Sequence, residues 1–418
     1  QRPGELREIM YGRLKACDLH LNWLRCPFRT QTRIRRLPRA ENNTMTHSSF
    51  TQILDQWPAE RVRELMDAQA PADVRAALSE PKMEPATLAA LLSPAGAGHL
   101  EAMAQASRSL TLQRFGNTLQ FYAPLYVSNF CCNSCKYCGF NCSSDVKRRA
   151  LTIDEALADA EYLEKEGFRN ILLVAGEDPT HVPVEYFEEL ARRLRDNFSS
   201  ISVEIYPLDQ DGYRRLVQAG VDGLTLYQET YDPGVYRSVH PAGPKSDFQK
   251  RLETIEAGAA AGMQSLGIGS LLGLNDWRVE IFCVGLHALY LQRRYWRQHV
   301  AISFPRMRHA AGGMPPPHPV DDRALVQMIC ALRLVLPDAG LVMSTRESAA
   351  LRDHLLPLGI TRLSAASVTV PGGYVNTDHA GAQFEVQDHR SLREMTDTVK
   401  ARGFDPVLKD WDEAYRPR

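Results

Sequence analysis

Hydrophobic and polar positions alternate along this chain in two rhythms. Over residues 50–115 apolar side chains recur at helical spacing, as in Asp73-Val74-Arg75-Ala76-Ala77-Leu78. A second such run, Pro85 to Leu92, opens with a proline of the kind that suits a first helical turn. Pro94 to Gly98 interrupt the pattern and Leu100 to Leu110 resumes it. Beyond it, short apolar runs at 124–128, 171–176, 201–206, 223–228, 266–272, 299–304, 340–345 and 360–365 read as buried strands. Amphipathic stretches such as Ile153–Lys165 and Pro183–Asn197 fill the intervals. Buried strands separated by helices predict a parallel sheet. Eight repeats predict an α/β fold, a (β/α)8 TIM-type barrel with an N-terminal helical extension and its site at the C-terminal ends of the strands. An open doubly wound sheet would satisfy the same alternation, but only a barrel brings every strand end around one mouth.

Residues 1–44 break both rhythms. They are rich in arginine, with Arg33, Arg35, Arg36 and Arg39 close together, and end in Glu41-Asn42-Asn43-Thr44. The expectation is a disordered upstream leader with Met45 as the natural start; an arginine-rich transit peptide is the alternative, diluted by Glu5, Glu8 and Asp18. The organisation expected is therefore a leader over 1–44, a helical segment over 45–115, a barrel over 116–380 and a C-terminal extension over 381–418.

Composition excludes several classes. A formal net charge of −1 gives no footprint for nucleic acid or an anionic membrane, and no apolar stretch has the length of a membrane span. Hydrophobic residues at 44% and charged residues at 24% are those of an ordinary globular protein. The 9 cysteines are crowded rather than spread as a disulfide framework, which points to a reducing, cytoplasmic setting. Cys17, Cys26, Cys283 and Cys330 are scattered and read as unligated.

The crowding carries the chemistry. Cys131, Cys135 and Cys138 are spaced C-x3-C-x2-C just beyond the strand run Pro124–Ser128, so a short loop carries all three thiols. Three soft ligands at this spacing suit an iron–sulfur cluster, and a [4Fe–4S] cluster so held keeps one iron open for a ligand. A closed zinc site drawing on Cys131 or Cys132 with Cys135, Cys138 and Cys142, or simply reduced cysteines, are the competing readings. Further candidates follow the later strands: Gly176 and Glu177 after the second, Gln228 and Glu229 after the fourth, Arg251 opening a helix, and Gly269 in the fifth. Ser303-Phe304-Pro305-Arg306-Met307-Arg308 ends the sixth with two guanidinium groups able to grip a carboxylate, Arg306 preferred over Arg308.

With Tyr137 before the third cysteine, the motif resembles that of radical S-adenosylmethionine (SAM) enzymes. The resemblance narrows to the tyrosine-cleaving lyases of thiamine biosynthesis. It extends from about Phe50 to Trp411 and rests on Arg114-Phe115-Gly116-Asn117-Thr118, Cys135-Lys136-Tyr137-Cys138-Gly139-Phe140 and Tyr227-Gln228-Glu229-Thr230-Tyr231. Ser303-Phe304-Pro305-Arg306, Ser344-Thr345-Arg346-Glu347-Ser348 and Lys409-Asp410-Trp411-Asp412 add to it.

That resemblance implies Cys131, Cys135 and Cys138 as cluster ligands and SAM on the open iron. Gly176 and Glu177 would meet the SAM amino group, Glu229 its ribose, Arg251 its carboxylate, and Gly269 would pass under adenine. It implies cleavage of the Cα–Cβ bond of L-tyrosine to p-cresol and 2-iminoacetate, with 5′-deoxyadenosine and methionine from SAM. A low-potential electron donor and a thiazole synthase that takes the imine are the implied partners. Three alternatives remain at this point: a tryptophan lyase, a hydrogenase maturase that cleaves tyrosine but carries a second cysteine motif toward its C-terminus, and a non-catalytic iron–sulfur or zinc scaffold. No cysteine follows Cys330, which weighs against the maturase.

Overall fold

The computed structural model describes residues 49–376 and 380–409; the expected leader over 1–44 and Asp410-Trp411-Asp412 lie outside the described residues. Eight strands form the barrel: β1 (Thr118–Ser128), β2 (Asn170–Ala175), β3 (Ser200–Glu204), β4 (Gly223–Thr225), β5 (Ser265–Gly269), β6 (His299–Ser303), β7 (Gly340–Met343) and β8 (Arg362–Ser364). All neighbours pair in parallel, and β1 pairs with both β2 and β8, so the sheet closes and the open alternative falls. A short β9 (Asp405–Val407), absent from the sequence expectation, joins the N-terminal end of β1 at Thr118–Gln120. Its Pro406 has no N–H to donate, which confines such a strand to an edge. β1 also begins earlier than expected, because polar Thr118 and Gln120 interrupt an apolar reading yet pair with β9 and β8.

The period of two along each strand sorts side chains between two environments. Leu125 and Val127, Ile171 and Leu173, Ile201 and Val203, Val300 and Ile302, and Leu341 and Met343 face outward and merge with the surrounding helices into one core. Their neighbours Tyr122, Tyr126, Leu172, Val174, Ala301 and Val342 face inward as a second cluster. The lumen also takes Ser202, Glu204, Thr225, Tyr227, Ser303 and Arg362. Barrel interiors are normally packed with branched aliphatic residues; this one is polar and leaves room.

Helices Pro71–Ser79, Pro85–Leu92 and Leu100–Phe115 match the expected N-terminal segment, and Pro94–Ala97 adds one short turn where an interruption was read. Two barrel helices hold it: Gln327 Nε2 donates to the carbonyls of Leu91 and Ser93, and Arg278 Nε to that of Leu92. The segment after β8 returns over the mouth. Gly139 N donates to Gln383 O, Glu385 N to His309 O and Gln387 N to Thr345 O, so a strap tied to three loops closes one side. A fully buried Arg352–Asp388 ion pair anchors its far end. Among the described residues no helix is long and apolar enough to cross a membrane.

Candidate functional site

The loop after β1 is fixed before any ligand is considered. The Arg148 guanidinium donates to the carbonyls of Asn129 (2.6 Å), Phe140 (2.9 Å), Asn141 and Ser144. Asn141 Nδ2 reaches Cys135 O at 3.0 Å, and Cys142 N reaches Asn133 O at 2.9 Å. Gly176 is required beside it: a Cβ there would stand 2.2 Å from Phe130 O. Cys131, Cys135 and Cys138 all line one cavity of about 880 Å³, counting space open to solvent. That lies within the range of ligand pockets. Burial pushes all three thiols up, Cys138 to about 11, so each keeps its proton until a metal displaces it.

Among the described residues no three His, Cys, Asp or Glu side chains converge closely enough to hold a single metal ion. A zinc site needs four donors about 2–2.3 Å from one centre. A cluster spreads its sulfurs over different irons, so three thiols lining one cavity fit the [4Fe–4S] reading. Cys132 and Cys142 are exposed, and Cys132 spends its thiol on Glu177 O.

Beside the thiols lies a network of alternating charges. Arg251 Nη1 donates to Glu177 Oε1 at 2.8 Å, and its Nε to Tyr227 O at 2.7 Å. Lys245 Nζ donates to Glu229 Oε1 at 2.7 Å and lies 3.9 Å from Glu177. Asn133 joins the two halves: its Nδ2 donates to Glu177 Oε2 and its Oδ1 accepts from Lys245 N. Burial alone would raise the Glu229 carboxyl, but Lys245 and Arg251 outweigh it and hold the group below the usual range. Glu229 has φ +70°, a left-handed conformation that costs a non-glycine residue about 1–3 kcal/mol. Its successors are pinned by buried Glu280, which accepts from Thr230 Oγ1 (2.6 Å) and Tyr231 N (2.9 Å). Tyr137 OH lies 2.7 Å from His240 Nε2, while His240 Nδ1 meets Tyr236 O. The ring therefore donates through Nδ1 and accepts the phenol proton; burial lowers this imidazole to about 3, so it is neutral.

A second cavity, of about 570 Å³, continues into the barrel and shares Glu204, Tyr227, Pro305, Arg346, Gln383 and Phe384 with the first. Its deeper wall is aromatic and aliphatic, with Tyr122, Tyr126, Leu172 and Val174 among its residues. The Arg346 guanidinium lies 3.3 Å from the centroid of the Phe384 ring. Among the described residues it has no carboxylate partner, and burial lowers its pKa.

The two arginines expected to anchor a carboxylate behave differently. Arg306, the preferred anchor, is engaged by other protein groups. Its Nε and Nη2 grip buried Glu347, its Nη1 meets Val320 O and Asp322, and it does not line either cavity. Arg308 does line the mouth, although Glu347 takes one of its donors at 2.6 Å. Ser303 lines the inner cavity and accepts from Tyr227 OH at 3.0 Å. Glu177, Glu229, Arg251, Tyr137 and Gly176 all meet at the mouth. Gln228 does not: it is buried, with Nε2 toward Phe248 O. Gly269 packs against Ser303 O and the Tyr227 ring, away from the mouth cavity. Sequence reasoning missed Asn133, Lys245 and Glu204, and reached Arg346 only as part of the strand-end stretch Ser344-Thr345-Arg346-Glu347. Glu204 left a signal, a carboxylate closing a buried apolar strand, and Arg346 another, a cation just past a strand end.

Comparison with known proteins agrees with this geometry. Residues 125–283 match the Radical SAM superfamily and residues 303–405 the Biotin and Thiamin Synthesis associated domain. The chain is 42% identical over 365 residues to the 2-iminoacetate synthase of Salmonella typhimurium, covering 87% of this chain and 97% of that one. It is 43% identical over 357 residues to that of Escherichia coli, covering 85% and 94%. The X-ray structure of the FeFe-hydrogenase maturase HydG from Carboxydothermus hydrogenoformans superposes with a TM-score of 0.76 at 30% identity, covering 88% of this chain and 84% of that one. The coverage and identity to the two synthases, on a closed barrel whose mouth carries three thiols, establish that this chain belongs to the 2-iminoacetate synthase family of radical SAM enzymes.

Proposed function

We propose that the chain is a radical SAM carbon–carbon lyase that cleaves L-tyrosine between Cα and Cβ, giving p-cresol and 2-iminoacetate, with 5′-deoxyadenosine and methionine from SAM. The family membership supports this reading, and one observation carries it at the site. The Arg346 guanidinium, which has no carboxylate partner among the described residues, lies where a thiol-lined mouth meets an aromatic-lined inner cavity.

Cys131, Cys135 and Cys138 would hold the [4Fe–4S] cluster, which supplies the electron for reductive cleavage of SAM. Glu177, Asn133, Arg251, Lys245 and Glu229 would receive the polar ends of SAM, each already held by its neighbours and so needing little reorganisation. Arg346 would take the tyrosine carboxylate in a bidentate grip, directing the ring down into the inner cavity beside Tyr122 and Tyr126. The strap through Gln383 and Phe384 keeps bulk water from the reacting atoms. A reactive imine is expected to be handed to a thiazole synthase of thiamine biosynthesis, and a low-potential protein to be the electron donor, in the cytoplasm.

The test is anaerobic. Protein reconstituted with iron and sulfide is mixed with SAM, dithionite and L-tyrosine, and 5′-deoxyadenosine and p-cresol are quantified. Both products are expected together. Deoxyadenosine without p-cresol would move the substrate to another aromatic amino acid, tryptophan first, and neither product from cluster-loaded protein would overturn the reading.

A further inference from the structure

Most charged side chains at the mouth already have an oppositely charged partner. Glu177 pairs with Arg251, Glu229 with Lys245, and Arg308 with Glu347. Two do not. Glu204, at the C-terminal end of β3, and Arg346, just beyond β7, both line the mouth and the inner cavity. Among the described residues neither has a hydrogen-bonded or ion-paired partner for its charged group, and they do not pair with each other. Opposite charges left apart across a half-buried cavity are costly unless something sits between them. A free amino acid carries one carboxylate and one ammonium on the same carbon, which is the complement of this pair.

We propose that Glu204 receives the ammonium group of the substrate amino acid and takes its proton. This deepens the preceding reading and rests on it: with Arg346 on the carboxylate, Glu204 is the acid left to face the nitrogen. In the step, one N–H bond breaks, its electron pair stays on nitrogen, and an O–H bond forms on Glu204. The nitrogen becomes a neutral amine, the protonation state required before it can end as an imine, and no oxidant or reductant is consumed.

The surroundings support a proton acceptor here. Burial, reinforced by the nearby Glu229 carboxylate, pushes Glu204 up to about 7, against the opposing pull of Arg346, Lys245 and Arg251. Tyr122 and Tyr126 from β1 and Tyr227 after β4 also face it, each with its phenol pushed up by burial and so neutral. A base whose proton affinity lies near the ambient pH is well matched to taking and returning a proton.

The experiment uses cluster-loaded protein with SAM and no reductant, so that nothing turns over. Calorimetry measures binding of L-tyrosine and of 3-(4-hydroxyphenyl)propionate, which lacks only the amine, in buffers of different ionisation enthalpy. Wild type is expected to favour tyrosine at least tenfold and to exchange a fraction of a proton with buffer near pH 7. In Glu204→Gln, which keeps the shape, both the preference and the proton exchange should disappear. A variant that keeps both would overturn the proposal. Wild type binding the two ligands equally would overturn it without any variant, while leaving the lyase reading intact. Wild type binding neither would reject the lyase reading and this proposal with it.

Discussion

Replacing Arg346 and Arg306 by glutamine tests the proposed ligand-binding role of the first guanidinium against a structural role for the second. Among the described residues Arg346 has no carboxylate partner to lose, so its substitution removes its stacking on Phe384 and what a substrate carboxylate would use. Charge-assisted hydrogen bonds contribute about 1.5–3 kcal/mol each, and truncating one side of a buried charge pair costs about 2–5 kcal/mol. The guanidinium is only half-buried, so about 2–4 kcal/mol is expected, roughly 30- to 700-fold in tyrosine affinity. Stability should stay within about 1 kcal/mol, because the lost group was a cation that burial already disfavoured.

Arg306→Gln should do the reverse. It leaves Glu347, 1% exposed, with Arg308 as its remaining cation. Breaking a buried pair costs about 3–5 kcal/mol; with Arg308 still present, about 2–4 kcal/mol is expected, lowering Tm by roughly 3–5 °C. The assays are tyrosine calorimetry on cluster-loaded protein with SAM, and thermal unfolding of both variants. Arg346→Gln should also still cleave SAM in an uncoupled manner. Unchanged tyrosine affinity in Arg346→Gln would refute the assignment, as would an Arg306→Gln protein that melts like wild type but no longer binds tyrosine.

Cys135→Ala should lose the cluster and all SAM cleavage, since the loop then offers two of its three thiols; iron content near wild type would refute the ligand set. Gly176→Ala should lower iron incorporation and Tm together, because its Cβ meets Phe130 O at 2.2 Å beside Cys131; normal loading would show that the loop yields more easily than its hydrogen bonds suggest. His287 is buried and held neutral, its pKa lowered by desolvation to about 3 from 6.5. The unfolded chain therefore binds a proton that the fold refuses, and the histidine's contribution is lost as pH falls from 6.5 toward 3. The stability deficit of His287→Gln relative to wild type should shrink over that window by up to about 1.4 kcal/mol per pH unit; a pH-independent deficit in urea titrations would reject it.

The barrel was legible in the sequence because every strand is buried on both faces. Runs such as Ile171-Leu172-Leu173-Val174 and Val300-Ala301-Ile302 stand out wherever outer and inner residues are both apolar. Legibility failed where a strand borrows its partners from afar, as Thr118–Gln120 does from β8 and β9. At the site, the cysteines could be read from spacing, and the Glu177, Glu229 and Arg251 positions from the resemblance to radical SAM enzymes. The proposed anchor could not. Arg306 and Arg346 each follow a strand end, and what distinguishes them is where the acids lie: Glu347 is adjacent to Arg346 in sequence, yet its side chain turns to Arg306 and Arg308. Linear proximity suggested no such choice, since neighbouring residues after a strand point to different sides.

That choice has a consequence for how the two halves of the mouth behave. Glu177, Arg251, Glu229 and Lys245 alternate in sign and sum to zero, so their mutual attraction holds them in place while they are buried. Even the left-handed Glu229 is kept in position, because Glu280 fastens the residues that follow it. Glu204 and Arg346 lack such closure, and their burial is offset only when a ligand brings the missing charges. On the proposed assignment the cofactor side is preorganised, and the substrate side would carry electrostatic free energy that tyrosine releases on binding. Tyrosine should therefore raise Tm of the SAM-loaded protein by more than the desamino analogue does at the same concentration. Equal shifts would mean that the inner cavity binds the ring alone and that the open charge pair contributes nothing to recognition.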